Sequence, residues 1–73
     1  MTDNQQTALA FLKRRPDAWF APAAVNRAYL DRRVTAGGCA RNLQSLVAMG
    51  LAEVRENGRY PSGFPRKEYR AVA

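Results

Sequence analysis

The chain predicts an α+β fold: three helices followed by a C-terminal two-stranded β-hairpin. Three observations carry this reading. Apolar residues recur at helical spacing in two stretches, Ala8, Leu9 and Leu12 early and Leu43, Leu46 and Val47 later. Gly50 stops the later stretch, and Leu51-Ala52-Glu53-Val54-Arg55 after it has strand character. A basic segment rich in Gly and Pro, Asn57 to Lys67, then leads into Glu68-Tyr69-Arg70-Ala71-Val72, which can pair back onto the first strand. With no repeat, linker or low-complexity segment, the 73 residues are expected to form a single domain, 1–73. A chain this short buries only about 60% of the surface its unfolded form exposes, so its core must be efficient.

Helix one is expected over Asp3 to Arg15. Thr2 with Gln5 three residues later matches a capping box, and Ala8, Leu9 and Leu12 share one face with Phe11 at its edge. Lys13, Arg14 and Arg15 crowd the last turn, where cations favour the negative end of the helix dipole, and Pro16 bars continuation. Trp19 and Phe20 are adjacent, so they cannot both face one side of an extended segment. Trp19 is the expected core anchor, with Phe20 covering its edge. Pro22 suits the first turn of helix two, expected from Pro22 to Leu30 and burying Val25, Ala28 and Tyr29. Ala21 is a poor N-cap, so this helix leans on packing.

Asp31-Arg32-Arg33 forms the next turn, and Thr35 is the natural N-cap of helix three. Stepping about 100° per residue gathers Cys39, Leu43, Leu46 and Gly50, with Val47 beside them, on one side. The other side collects Gly37, Gly38, Arg41, Gln44, Ser45 and Ala48, with Asn42 at the flank. One face is thus apolar, and the other is small, hydrogen-bonding and singly charged. A two-residue turn at Asn57-Gly58 would place Pro61 and Pro65 in the returning strand, where proline removes ladder bonds. The longer loop, Asn57 to Lys67, is therefore expected. The predicted core is Leu9, Leu12, Trp19, Val25, Tyr29, Leu43, Leu46, Val47, Leu51, Val54 and Tyr69.

Charge and composition narrow the function. The net charge is +6 and the pI about 10.5. Two segments each carry a net +3, residues 27–41 and residues 55–70, while residues 1–26 carry only +1. Such local positive potential implies a polyanionic partner. The chain has no histidine and one cysteine, so neither a Cys/His metal site nor a Cys/His nucleophile pair can form within it. No carboxylate pair at recognisable spacing and no Gly-rich phosphate loop after a strand is present, which argues against an enzyme. No cofactor is expected. The lone cysteine fits a reducing cytoplasm, and Cys39 falls on the apolar face as a small hydrophobe. No apolar run approaches a membrane span, and the first residues lack the features of a secretory signal.

The order helix, short extended piece, helix, turn, helix and basic hairpin resembles a winged helix-turn-helix. The run from Leu43 to Arg55, LQSLVAMGLAEVR, resembles that family's junction between recognition helix and wing. Lys67-Glu68-Tyr69-Arg70-Ala71 is similar to its returning strand, and Trp19-Phe20-Ala21-Pro22 to its entry into helix two. The resemblance covers nearly the whole chain and points to the fold rather than to a subfamily. Small bacterial, archaeal and phage transcriptional regulators are the nearest analogues.

The resemblance implies that helix three, residues 35–49, reads the major groove and that the 57–67 loop is the wing. The N-terminal part of a recognition helix meets base edges, which designates Thr35, Gly38, Arg41 and Asn42, with Gln44 and Ser45 further along. Arg41 can pair bidentately with guanine, and Asn42 or Gln44 with adenine. The chain departs from the usual pattern at Gly37-Gly38, because each glycine weakens a helix by about 1 kcal/mol relative to alanine. Either helix three begins later than Thr35, or the glycines let the backbone approach phosphate closely. Backbone or wing contacts are expected from Arg32, Arg33, Arg55, Arg59, Tyr60, Arg66 and Lys67. Phe64 either meets a sugar or folds back onto the hairpin.

Double-stranded DNA binding by a small transcriptional regulator is the function this implies, with a nucleoid-associated, cytoplasmic location. A homodimer is expected if affinity exceeds what one small module supplies, and no small-molecule ligand is expected. The alternative is a winged helix serving as a protein–protein interaction module, since fold alone does not fix function. The chain shows no aromatic platform of the kind that stacks single-stranded RNA bases.

Overall fold

Side-chain caps and one glycine set the limits of the two longer helices. A computed structural model describes residues 1–28 and 34–72. Helix α1 (Asp3–Lys13) begins at Thr2, whose hydroxyl accepts the Gln5 amide at 3.2 Å while Gln5 Oε1 accepts the Thr2 amide at 3.0 Å. This is the reciprocal capping box read from the sequence. The helix ends at Lys13, two residues short of the expected Arg15. The Arg14 and Arg15 amides bond instead to the Phe11 and Leu12 carbonyls, three residues back, both at 3.3 Å. Pro16 explains the tightening, because it disfavours the α region at Arg15.

Helix α2 (Pro22–Asn26) is shorter than the expected Pro22–Leu30. Ala21 provides no side-chain cap, and the Ala28 amide reaches back only to Val25. One fully buried side chain, Val25, fixes this brief element, while Ala28 is half-buried. Leu30, the turn residues Asp31, Arg32 and Arg33, and the expected core residue Tyr29 lie outside the described residues.

Helix α3 (Ala36–Ala48) begins where Thr35 Oγ1 accepts the Gly38 amide at 3.1 Å. Thr35 is therefore the N-cap, and Gly37 and Gly38 occupy the first turn. The helix closes in a Schellman motif: the Gly50 amide bonds to the Val47 carbonyl at 3.0 Å, and the Leu51 amide to the Leu46 carbonyl at 2.9 Å. Gly50 sits at φ 76°, which a side chain would strain.

The closing elements, β1 (Ala52–Arg59) and β2 (Pro65–Ala71), pair antiparallel with Ala52 opposite Ala71, Val54 opposite Tyr69 and Arg55 opposite Glu68. The ladder continues to Glu56 and Lys67, then resumes at Arg59 and Pro65, so β1 carries one extra residue there. Gly58, at φ 77°, absorbs it as a bulge. The strands consequently run well into the segment expected as a 57–67 loop, leaving only Tyr60 to Phe64 as the turn. Pro65 stands first in its strand, the position a strand proline tolerates.

Ala8, Leu9, Leu12, Val25, Cys39, Leu43, Leu46, Ala52, Tyr69 and Ala71 form the buried core, with Phe11, Phe20, Val34, Val47 and Leu51 packed against it. The Cys39 thiol points at the Pro22 carbonyl, 3.5 Å away, tying α3 to the first turn of α2. Two expected core residues are elsewhere. Phe20 and Tyr69 exchange both backbone hydrogen bonds, each 2.8 Å, in an isolated antiparallel bridge. Paired residues share a face, so Phe20 follows the buried Tyr69 inward and Trp19 is turned to the outer face of the hairpin. The Phe20 ring meets Phe11 edge to face at 4.8 Å. Val54 is 42% exposed because only the root of β1 lies over the helices, and every residue of the strand beyond Glu53 is exposed. Among the described residues, three helices and a projecting antiparallel hairpin make an α+β, winged helix-turn-helix architecture.

Candidate nucleic-acid interface

The exposed side of α3 is the first part of the candidate site. Gly37, Arg41, Gln44 and Ala48 are exposed, while Gly38, Asn42 and Ser45 are half-buried. Arg41 is the only charged residue in the helix. Several of the polar groups expected at base edges already have partners in the protein. Thr35 caps the Gly38 amide, and Ser45 Oγ donates to the Arg41 carbonyl at 3.0 Å. The Gln44 side chain hydrogen-bonds the Tyr69 hydroxyl, joining α3 to β2, and Asn42 also interacts within the protein. Burial pushes the Tyr69 pKa above its ordinary 10.0, outweighing the bond from Gln44, which acts in the opposite sense.

Neither helix glycine is required by crowding within the described residues. A Cβ on Gly37 would meet Thr35 Oγ1 at 3.8 Å, and one on Gly38 would meet it at 3.5 Å, both ordinary contacts. Neither glycine has positive φ. Gly37→Ala is accordingly expected to raise stability by about 0.5–1 kcal/mol in urea titrations.

The second part is the wing. Its turn is braced three times: the Gly63 amide bonds to the Tyr60 carbonyl at 2.8 Å, the Tyr60 amide to the Phe64 carbonyl at 2.8 Å, and Arg59 Nη1 to the Gly63 carbonyl at 2.9 Å. Pro61 occupies the second position of the Tyr60–Gly63 turn, for which its fixed φ is suited. The Arg66 guanidinium lies over the Tyr60 ring, 5.5 Å from its centroid. Arg59, Arg66 and Lys67 are exposed, and so is Phe64, which does not fold back onto the hairpin.

Arg55, expected among the backbone contacts, is held differently. Its guanidinium pairs with Glu68 at 2.9 Å and lies 4.5 Å from the Trp19 ring centroid. Arg70 approaches the same ring at 4.4 Å and pairs with Glu53 at 2.6 Å. Trp19 is thus engaged by two guanidiniums, each held by a carboxylate, and this cluster ties the loop before α2 to the wing root. Sequence reasoning missed it, although the adjacency of Trp19 and Phe20 already required one ring to face outward. The Asn57 amide and the Arg55 guanidinium hold the Glu68 carboxyl below its ordinary 4.5. With its folded pKa depressed, Glu68 contributes stability that is present above 4.5 and is lost as pH falls through the folded value. Acid titration should therefore change Trp19 fluorescence below pH 4.5, and Glu68→Gln should shrink the part of that change that reaches the ring through Arg55.

Arg32 and Arg33 lie outside the described residues. An open groove at the C-terminal end of α1 is lined by Phe11, Arg14, Arg15 and Phe20, and by none of the residues singled out in α3 and the wing. Among the described residues, no helix is long and apolar enough to cross a membrane.

No protein-family model matches the chain, and no curated protein matches it. Among solved structures it is similar to a "possible transcriptional regulator" from Methanosarcina mazei Go1, at a TM-score of 0.81 and 12% sequence identity. The match covers 100% of this chain and 57% of that one, so the chain spans little more than half the length of its structural neighbour. At that identity the likeness is one of fold.

Proposed function

We propose that this chain binds double-stranded DNA as a small transcriptional regulator of prokaryotic or phage type. In this reading α3 enters the major groove, and the wing meets phosphates or the minor groove. The observation that carries it is the exposed face of α3, which presents Gly37, Gln44 and Ala48 around one cation, Arg41. A groove-reading helix needs small residues for close approach and donors for base edges. The exposed cations of the wing, Arg59, Arg66 and Lys67, supply phosphate contacts. Arg55 would have to leave Glu68 to join them. The likeness in fold to a "possible transcriptional regulator" is in keeping with this reading.

Several features belong to the same proposal. The 73 residues act as one domain, in the cytoplasm with the nucleoid, without a cofactor. Binding tighter than micromolar would come from a homodimer on paired half-sites, because one small module offers few contacts. If Gly37 admits a phosphate to the helix backbone, Gly37→Ala lowers affinity while raising stability. Fluorescence titration against duplex DNA across a salt series is the test. Affinity that falls steeply with salt is expected, and no binding even at low salt would overturn the proposal. Weak, salt-insensitive binding to DNA together with tight binding to an acidic protein would assign the surface to protein recognition instead.

A further inference from the structure

The apex of the wing carries an aromatic ring that the protein leaves in water. Phe64 is 71% exposed, more than any other large apolar residue described. Its exposure is not the result of a loose turn. The three bonds that brace residues 59 to 64 fix the backbone on which the ring stands. Pro61 and Pro65 restrict the chain on either side of it. The root is fixed as well, through the Arg55–Glu68 and Arg70–Glu53 pairs and the Trp19 ring that both guanidiniums approach. A rigid hairpin therefore holds an apolar ring outward, with Arg59 on one strand and Arg66 and Lys67 on the other.

Each occupant this apex could take makes a different demand. An acidic protein pocket would use the ring and the flanking cations, but would not call on the small face that α3 presents. A lipid surface would use both, but would have no use for the exposed, hydrogen-bonding face of α3. A DNA minor groove uses all three features: the cations meet the phosphates lining the groove, the ring enters between base pairs, and α3 occupies the major groove. Apolar side chains inserted from the minor groove partly unstack a base step and kink the duplex toward the major groove. Pyrimidine–purine steps yield most readily to this deformation.

We infer that Phe64 is a wedge: it enters the minor groove beside the site read by α3, partly unstacks one base step and bends the DNA. The inference rests on the DNA-binding reading above and adds a deformation of the ligand to it. Specificity then arises in part at a step whose base edges no side chain reads, through the cost of kinking it.

The test uses the duplex recovered by selection from random DNA. Binding is followed by anisotropy, bending by energy transfer between dyes at the two ends, and unstacking by 2-aminopurine placed at each adenine in turn. The parent and Phe64→Leu, which keeps an apolar wedge, are expected to bend the duplex by roughly 20–90° and to raise 2-aminopurine fluorescence near the wing. Phe64→Ala is expected to melt like the parent, since the ring is exposed, and to leave the bound duplex straight and stacked. A parent that binds its site without bending it overturns the wedge and leaves the DNA-binding reading intact. A bend that persists in Phe64→Ala does the same. A parent that binds no duplex at low salt overturns both, and Phe64-dependent binding to phosphatidylserine vesicles in its place would assign the ring to lipid.

Discussion

Leu46→Ala is expected to cost about 2–5 kcal/mol, enough to unfold much of the protein. Leu46 is fully buried between the other helices and the hairpin root, and no polar group competes for its site. Removing its isobutyl group leaves a cavity that backbone constraints prevent from collapsing. Its own carbonyl accepts the Leu51 amide in the motif that ends α3, so the helix cannot slide to close the gap without breaking that turn. A domain of 73 residues has about 4–11 kcal/mol of stability in all. The midpoint of thermal unfolding should therefore drop by roughly 10 °C or more. Melting indistinguishable from the parent would show that the packing of α3 is wrong.

The second large effect separates reading from holding. Arg41→Ala should lose about 1–3 kcal/mol on the preferred DNA site and much less on random duplex, because base edges carry sequence information and phosphates do not. Arg41 is exposed, so its removal should leave folding intact. Replacing Arg66 and Lys67 together should weaken binding to every sequence and reduce the salt slope by roughly two counterions. Both sit on β2 beyond the braced turn, exposed to solvent. The measurement is a salt series for each variant on specific and random duplexes. Equal losses for Arg41→Ala on both would remove α3 as the reader and leave the wing or a protein partner in its place.

Local signals in the sequence carried those parts of the fold that depend on near neighbours. The Thr2–Gln5 capping box, the Thr35 cap, the stop at Gly50 and the apolar face of α3 each involve residues within a few positions of one another. All are present in the structure. The failures are non-local. Whether Trp19 or Phe20 turns inward depends on the bridge from Phe20 to Tyr69, nearly fifty residues away, and no periodicity encodes that register. Val54 has the strand alternation of a core residue, but where the helices stop covering the hairpin is a tertiary fact. The wing's extent was misjudged because a glycine bulge let β1 continue past Asn57. At the candidate site, residue types were legible but their commitments were not. The bond between Gln44 and Tyr69 and the pairing of Arg55 with Glu68 both follow from strand placement rather than from composition.

The distribution of ion pairs along the wing has a kinetic consequence. Glu53 and Glu68 offset Arg70 and Arg55 near the root, whereas further out Glu56 alone faces Arg59, Arg66 and Lys67. The hairpin is thus electrically lopsided, close to neutral where it joins the helices and positive where it ends. A polyanion approaching through solution would exert a torque on such an object as well as a pull, turning the apex toward it before contact. Productive collisions would then depend less on chance orientation, and the association rate would gain more from this asymmetry than from the same charge spread evenly.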